Sequence, residues 1–108
     1  MGFFDPNQLD LADFRPGVRS WAHLGEQLTL AVMSLDPDLA DPGHEHPFEQ
    51  VGLVLAGRFE LTIGSETRTL SAGQGYLVPA GVRHGWRVVA GPVKVLDVSA
   101  RVPPEAVR

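Results

Sequence analysis

The chain of 108 residues has no cysteine. Disulfide scaffolds, thiolate zinc sites and thiol nucleophiles are therefore excluded, and any metal must be held by imidazole, carboxylate or amide oxygen. Positive charge is also scarce. Nine Lys and Arg stand against thirteen Asp and Glu, for a formal net charge of −4, and eight of the nine basic residues are Arg. Nucleic acids and anionic membranes require clustered cations, so neither is an expected partner. No apolar run approaches the ~20 residues of a membrane-spanning helix. The start, Met1-Gly2-Phe3-Phe4-Asp5-Pro6, lacks both the basic residues and the long apolar stretch of a secretory signal, which makes a cytoplasmic location the expectation. Helical periodicity is missing too. Asp5 and Pro6 suit the cap and first position of one helical turn, but nothing after them sustains a helical period.

What the chain does have is turn residues, 12 Gly and 9 Pro, set between short alternating apolar segments. Ser20 to Leu24 and Leu28 to Leu35 flank Gly25-Glu26 and read as a hairpin. Asp36-Pro37-Asp38 and Asp41-Pro42-Gly43 break the next connection. Gln50 to Ala56 reads as a strand turned by Gly57. Phe59, Leu61 and Ile63 then alternate with polar residues up to Gly64-Ser65, and Thr67 to Leu70 returns. Tyr76-Leu77-Val78 follows a bend at Gly73 and Gly75. His84 to Val89 and Val93 to Ser99 read as two last strands separated by Ala90-Gly91-Pro92. About eight short strands at such spacing predict an all-β, antiparallel barrel or sandwich. One domain is expected, with its barrel over about residues 16–100, an N-terminal extension 1–15 and an extended tail 101–108.

Three of the four histidines lie in two Gly/Pro-bounded segments. The first is Pro42-Gly43-His44-Glu45-His46-Pro47-Phe48-Glu49-Gln50; the second runs from Gly73 through Pro79-Ala80-Gly81 to His84. In an extended chain, residues two and four apart share a face. His44, His46 and Gln50 then project together, and Glu45 and Glu49 project the other way. Two imidazoles and an amide oxygen on one strand, joined by His84 from another, suit a divalent transition metal. A His-x-His pair alone is more often a surface pair than a metal site, and His23 reads as structural or solvent-facing. Glu49 is the chemically stronger rival to Gln50, and only a bulge would re-aim it.

The two segments together resemble the two motifs of the cupin superfamily. His44, His46, Gln50 and Gly57 match the first, and Gly73, Pro79, Gly81 and His84 match the second with its spacing. The resemblance covers about residues 16–100. It implies a small jelly-roll barrel with one divalent metal ion per chain (Zn, Ni, Fe, Mn or Cu) held inside the mouth by His44, His46, Gln50 and His84. Two positions depart from the superfamily pattern. Gln50 stands where Glu is usual, and Val88 where an Asn often follows the second motif. A neutral ligand set leaves the ion its full charge, which favours Lewis-acid chemistry on a small anionic molecule.

The stretch from His44 to Gly64 is most similar to a cupin subgroup that converts cyclic 4,5-unsaturated monouronates, products of pectin or alginate lyases, to the open keto form. That subgroup carries an acidic residue on the last strand in a Leu-Asp-x-Phe context. Here Leu96-Asp97-Val98-Ser99 keeps the acid and replaces the Phe. The resemblance makes Asp97 the candidate general acid/base. Arg58, Arg83 and Arg87 are candidates by residue type for holding a substrate carboxylate. Trp86 shares the parity of His84 and is expected to face inward. The resemblance also implies a homodimer. A dioxygenase using Fe(II) at the same site, a metal-dependent isomerase or lyase on another small acid, and a sensing module that only binds a sugar or metal are the alternatives.

Overall fold

The structure, a computed structural model, describes residues 2–101. Eight strands follow one another: β1 (Ala12–Arg15), β2 (Val18–Leu24), β3 (Leu28–Leu35), β4 (Ala40–His44), β5 (Gln50–Ile63), β6 (Glu66–Ser71), β7 (Gly75–Val78) and β8 (His84–Ala100). All pairings are antiparallel. Among the described residues there is no helix, and none long and apolar enough to cross a membrane. Asp5 does organise a turn, accepting the Asn7 N–H on its side chain and the Gln8 N–H on its carbonyl, but no helical segment follows.

The sheet is continuous and folds over on itself. Its hinge is in the two longest strands. β5 pairs with β8 from Gln50↔Ser99 to Ile63↔His84, with register shifts between Val54 and Phe59. Before the shifts the inward residues of β5 are even-numbered, Gln50 and Val54; after them they are odd, Phe59, Leu61 and Ile63. β8 changes parity in the same place, from His84, Trp86 and Val88 to Val93, Val95 and Asp97. An extra residue in a paired strand bends it and switches which face its side chains take. Gly57 makes the β5 bend possible. Its φ is +78°, and a Cβ there would lie 2.5 Å from the Pro92 carbonyl oxygen.

The bend divides the sheet into two facing halves. One contains β1, β2, β3, the second half of β8, the first half of β5, and β7. The other contains β4, the first half of β8, the second half of β5, and β6. Val18, Leu35, Val54, Val93 and Val95 from the first half meet Phe59, Leu61 and Val88 from the second in one core. The spacing of strands and turns predicts a barrel or sandwich, and the architecture is the jelly roll that the cupin resemblance implies.

Several details differ from expectation. The breaks at Gly57 and at Ala90-Gly91-Pro92 are bends inside continuous strands, because each strand keeps its partner across the break. The connection after Leu35 contains β4, which the Pro and Gly of Ala40-Asp41-Pro42-Gly43-His44 had concealed; it is an irregular edge strand with a register shift between Asp41 and His44. The N-terminal extension contributes β1, and before it Phe4 stacks on Trp21 at 5.7 Å between centroids. The tail expected at 101–108 lies outside the described residues apart from Arg101, which donates to the Gly25 carbonyl at 2.5 Å.

The bend supplies a first prediction. Gly57→Ala forces a side chain into the left-handed region and against two carbonyl oxygens, costing about 1–3 kcal/mol or more. Urea unfolding should show a lowered midpoint, whereas Gly73→Ala, at a positive φ with open space around it, should lose less.

Candidate metal and acid site

His44 ends β4, His46 follows in the loop, and His84 begins β8. Register places His44 directly opposite His84. The turn after β7 is tied to the loop by the Gly81 N–H donating to the His46 carbonyl at 2.8 Å. The ring centroids lie 4.3 Å apart for His44 and His84, 4.8 Å for His46 and His84, and 5.7 Å for His44 and His46. One ring nitrogen from each falls within 4.8 Å of the others.

Each ring is oriented through Nδ1. His46 Nδ1 faces the Phe48 carbonyl at 2.9 Å, and the Phe48 ring lies flat on the imidazole at 4.0 Å. His84 Nδ1 faces the Val82 carbonyl at 3.0 Å. His44 Nδ1 faces Asp41 Oδ2 at 3.2 Å. A proton on each Nδ1 leaves Nε2 as a lone pair, the arrangement that outer hydrogen bonds impose on metal-binding imidazoles. His84 Nε2 is buried and has no hydrogen-bond partner among the described residues. Burial is the main cause that holds His84 below its ordinary pKa, reinforced by His44 and His46 against the opposing pull of the Val82 carbonyl.

Gln50 opens β5 and faces the same space. Its Nε2 donates to Asp97 Oδ2 at 2.9 Å, which turns Oε1 to within 3.0 Å of His46 Nε2. With the His46 proton on Nδ1, two lone pairs confront each other. They repel unless a cation, or a second proton on His46, supplies positive charge. An orphaned buried imidazole nitrogen and this lone-pair contact are both relieved by one divalent ion. The donor set of His44, His46, His84 and Gln50 fits a divalent transition metal. Glu49 is exposed and is not among the cavity-lining residues.

Asp97 is 6% exposed and lies on β8 opposite Gly52. Tyr76, on β7, is also opposite Gly52 and donates its hydroxyl to Asp97 Oδ1. The three residues sit in one row across three adjacent strands. A Cβ at Gly52 would come within 2.0 Å of the Tyr76 ring, so the absent side chain is the slot through which Tyr76 reaches Asp97. Burial raises the Asp97 carboxyl above its ordinary pKa; the bonds from Tyr76 and Gln50 and the nearby His46 pull the other way. Burial, then the adjacent Asp97, pushes the Tyr76 hydroxyl far up, so it stays a donor.

His44, His84, Gln50, Tyr76 and Asp97 line a cavity of about 370 Å³. Trp86 lines it as parity required, together with Phe59, Leu61 and Met33. The three arginines proposed by residue type do not. Arg58 sits at the bend, opposite Ser71 and Ala90, away from the histidines. Arg87 points outward, as its odd position beside Trp86 dictates, and pairs with Glu60 at 3.5 Å. Arg83 is exposed and packs against Gly43 over a separate outer groove. Arg15 and Asp41 line the cavity instead, and neither was legible as a site residue. Arg15 ends a strand with no alternation, and Asp41 sits in the hidden edge strand. Ser99 lies opposite Gln50 and outside the cavity lining.

The fold and this site define a cupin, and the chain belongs to that family: the family model for the cupin domain matches residues 31–99. The uncharacterised protein SCO3923 of Streptomyces coelicolor is 32% identical over 79 residues, 73% of each chain. The H2HPP isomerase of Bacillus subtilis is 30% identical over 78 residues, 71% of this chain; the match spans 33% of that longer protein. Among solved structures, KdgF from Halomonas sp. superposes with a TM-score of 0.84 at 24% identity, covering 97% of both chains. TT1209 from Thermus thermophilus superposes at 0.79 with 26% identity, over 95% of this chain and 100% of that one.

Two predictions follow from the geometry. After dialysis against a divalent metal, His46→Ala and His84→Ala should lose most of the ion measured by elemental analysis. Gln50→Ala should bind it more weakly, and Glu49→Ala should match the parent chain. Equal retention in all four variants would exclude this donor set. Separately, Gly52→Ala should dislodge Tyr76, at a cost of about 1–3 kcal/mol for overpacking. Tyr76 is the chain's one tyrosine, so the NMR signal of its labelled ring carbon bearing the hydroxyl reports the loss of the Asp97 bond directly.

Proposed function

We propose that the protein is a metal-dependent cupin enzyme that isomerises a small carboxylated sugar of the unsaturated-monouronate type to its keto form. One observation carries the reading. A buried carboxylate, Asp97, lines the same cavity as His44 and His84, two of three converging imidazoles, and is fixed by two donors, Gln50 and Tyr76. The resemblance of residues 44–64 and Asp97 to the uronate-ketonising cupins supports the substrate class. The isomerase named among the relatives supports the reaction type. The cavity volume suits a monosaccharide-sized ligand.

Ring opening and ketonisation conserve atoms and electrons. The bond between the anomeric carbon and the ring oxygen opens as the anomeric hydroxyl gives up its proton and becomes an aldehyde; the ring oxygen takes a proton as an enol, which becomes a carbonyl as a proton moves from oxygen to carbon. A divalent ion held by His44, His46, Gln50 and His84 supplies Lewis-acid polarisation of substrate oxygens. The rest falls to the chain. Asp97, biased by burial toward carrying a proton, serves as the acid/base; Tyr76 holds one of its oxygens and Gln50 the other, and the residue lines the cavity. Trp86, Phe59 and Leu61 present an apolar wall that limits water around the reacting carbon.

Asp97→Asn keeps the shape and removes the acid/base. Turnover, followed by loss of the unsaturated uronate's ultraviolet absorbance, should fall by ~10²–10⁴-fold with metal content unchanged. Full activity in that variant would remove Asp97 from the chemistry. Oxygen uptake in step with consumption of another substrate would replace the isomerase reading with a dioxygenase. Saturable ligand binding without turnover would replace it with a sensing module.

A further inference from the structure

We propose that Arg15, held by Asp41, is the anion-recognition subsite of this cavity and takes the carboxylate of the ligand; the proposal rests on the substrate class inferred above. Among the described residues, Arg15 is the one Lys or Arg side chain lining the cavity. Its position is set by the backbone. Arg15 pairs with Val18 across the Pro16-Gly17 turn, and the register of β1 against β2 shifts between Asp13 and Arg15. Such an irregularity re-aims a side chain, and here the guanidinium points to the rim on the His44 side.

Asp41 fixes it there. The carboxylate takes the Gly43 N–H on Oδ1 at 2.9 Å. Its Oδ2 lies 3.2 Å from His44 Nδ1 and 3.6 Å from Arg15 Nη2. The 3.6 Å approach is longer than a hydrogen bond. Arg15 donates no side-chain hydrogen bond among the described residues and is half-exposed. Its planar fork of donors is therefore tethered, charged and open on the cavity side, the state in which a guanidinium grips a carboxylate in two-point fashion. The same Asp41 oxygen orients His44, so the anion subsite and the metal ligand are registered through one carboxylate.

The test is calorimetric titration of the protein, as purified with its metal, by D-glucuronate, D-glucose and malonate. Arg15→Gln should weaken both carboxylates by roughly 10- to 100-fold, leave glucose unchanged, and leave metal content and the urea midpoint at parent values. Arg15→Lys keeps the charge and loses the fork, so it should fall between the two and serves if Arg15→Gln folds poorly. Carboxylate affinity equal to the parent in both variants would overturn the subsite. So would a parent protein that neither carboxylate saturates. Malonate binding that depends on Arg15, with no binding of glucuronate, would uphold the subsite and overturn the sugar reading instead.

Discussion

The pairing of β5 with β8 through a shared bend is the constraint from which the site follows. A strand that ran straight would put its two ends at opposite poles of the fold. Bent at Gly57 and at Gly91-Pro92, each long strand returns, and both of its ends open on the same mouth. β5 supplies Gln50 at one end and the wall residues Phe59 and Leu61 in its other half. β8 supplies His84 and Trp86 at one end and Asp97 at the other. The parity change at the bend is equally necessary. Without the inserted residues, Val93, Val95 and Asp97 would face solvent whenever His84 and Trp86 face inward. The acid and the imidazole meet because two bulges correct a phase.

Within that frame the polar groups are sorted by distance from the histidine centre. The imidazoles are anchored outward through Nδ1, two of them to backbone carbonyls that belong to the same tight segments. Such anchors cost no extra charge and pin ring orientation within a residue or two of the ligand itself. His44 is the exception, anchored to the Asp41 carboxylate. That difference marks the side of the cavity on which Arg15 stands.

Much of this was legible in the residues, and what was not has identifiable causes. Alternation and turn chemistry revealed β2, β3, β6, β7 and both halves of β5 and β8, because a half-buried strand must alternate. The continuity of β5 and β8 was hidden, since a bulge containing Gly looks like a turn until a partner strand is seen to cross it. β4 was hidden by its own Pro42-Gly43, tolerable only because it is an edge. The histidine and Gln50 cluster was readable from spacing, and Trp86 from parity. Parity should also have set Arg87 aside: a neighbour of Trp86 on a strand must point the other way. Arg15 and Asp41 are different. Their placement depends on how β1 and β4 close the rim, and no local pattern encodes a contact between edge strands so far apart in sequence.

The substitution of Gln50 for an acidic ligand acquires a reason once Asp97 is seen behind it. A carboxylate bound directly to a divalent ion is held ionised, and its lone pairs are committed. It cannot also carry a proton for the reaction. Moving the acid one residue outward, behind an amide, separates the two tasks. Gln50 turns its oxygen toward His46 and gives Asp97 a hydrogen, so one side chain links the imidazole cluster to the acid without merging them. Tyr76 fixes the other Asp97 oxygen, and Gly52 leaves room for Tyr76 to do so. Burial raises the Asp97 carboxyl above its ordinary pKa, in the direction the proposed function uses. The row Tyr76, Gly52, Asp97 and the pair Gln50, His46 are thus two parts of one arrangement. Gly52, through the Tyr76 ring that it admits, stands two hydrogen bonds from the Gln50 amide.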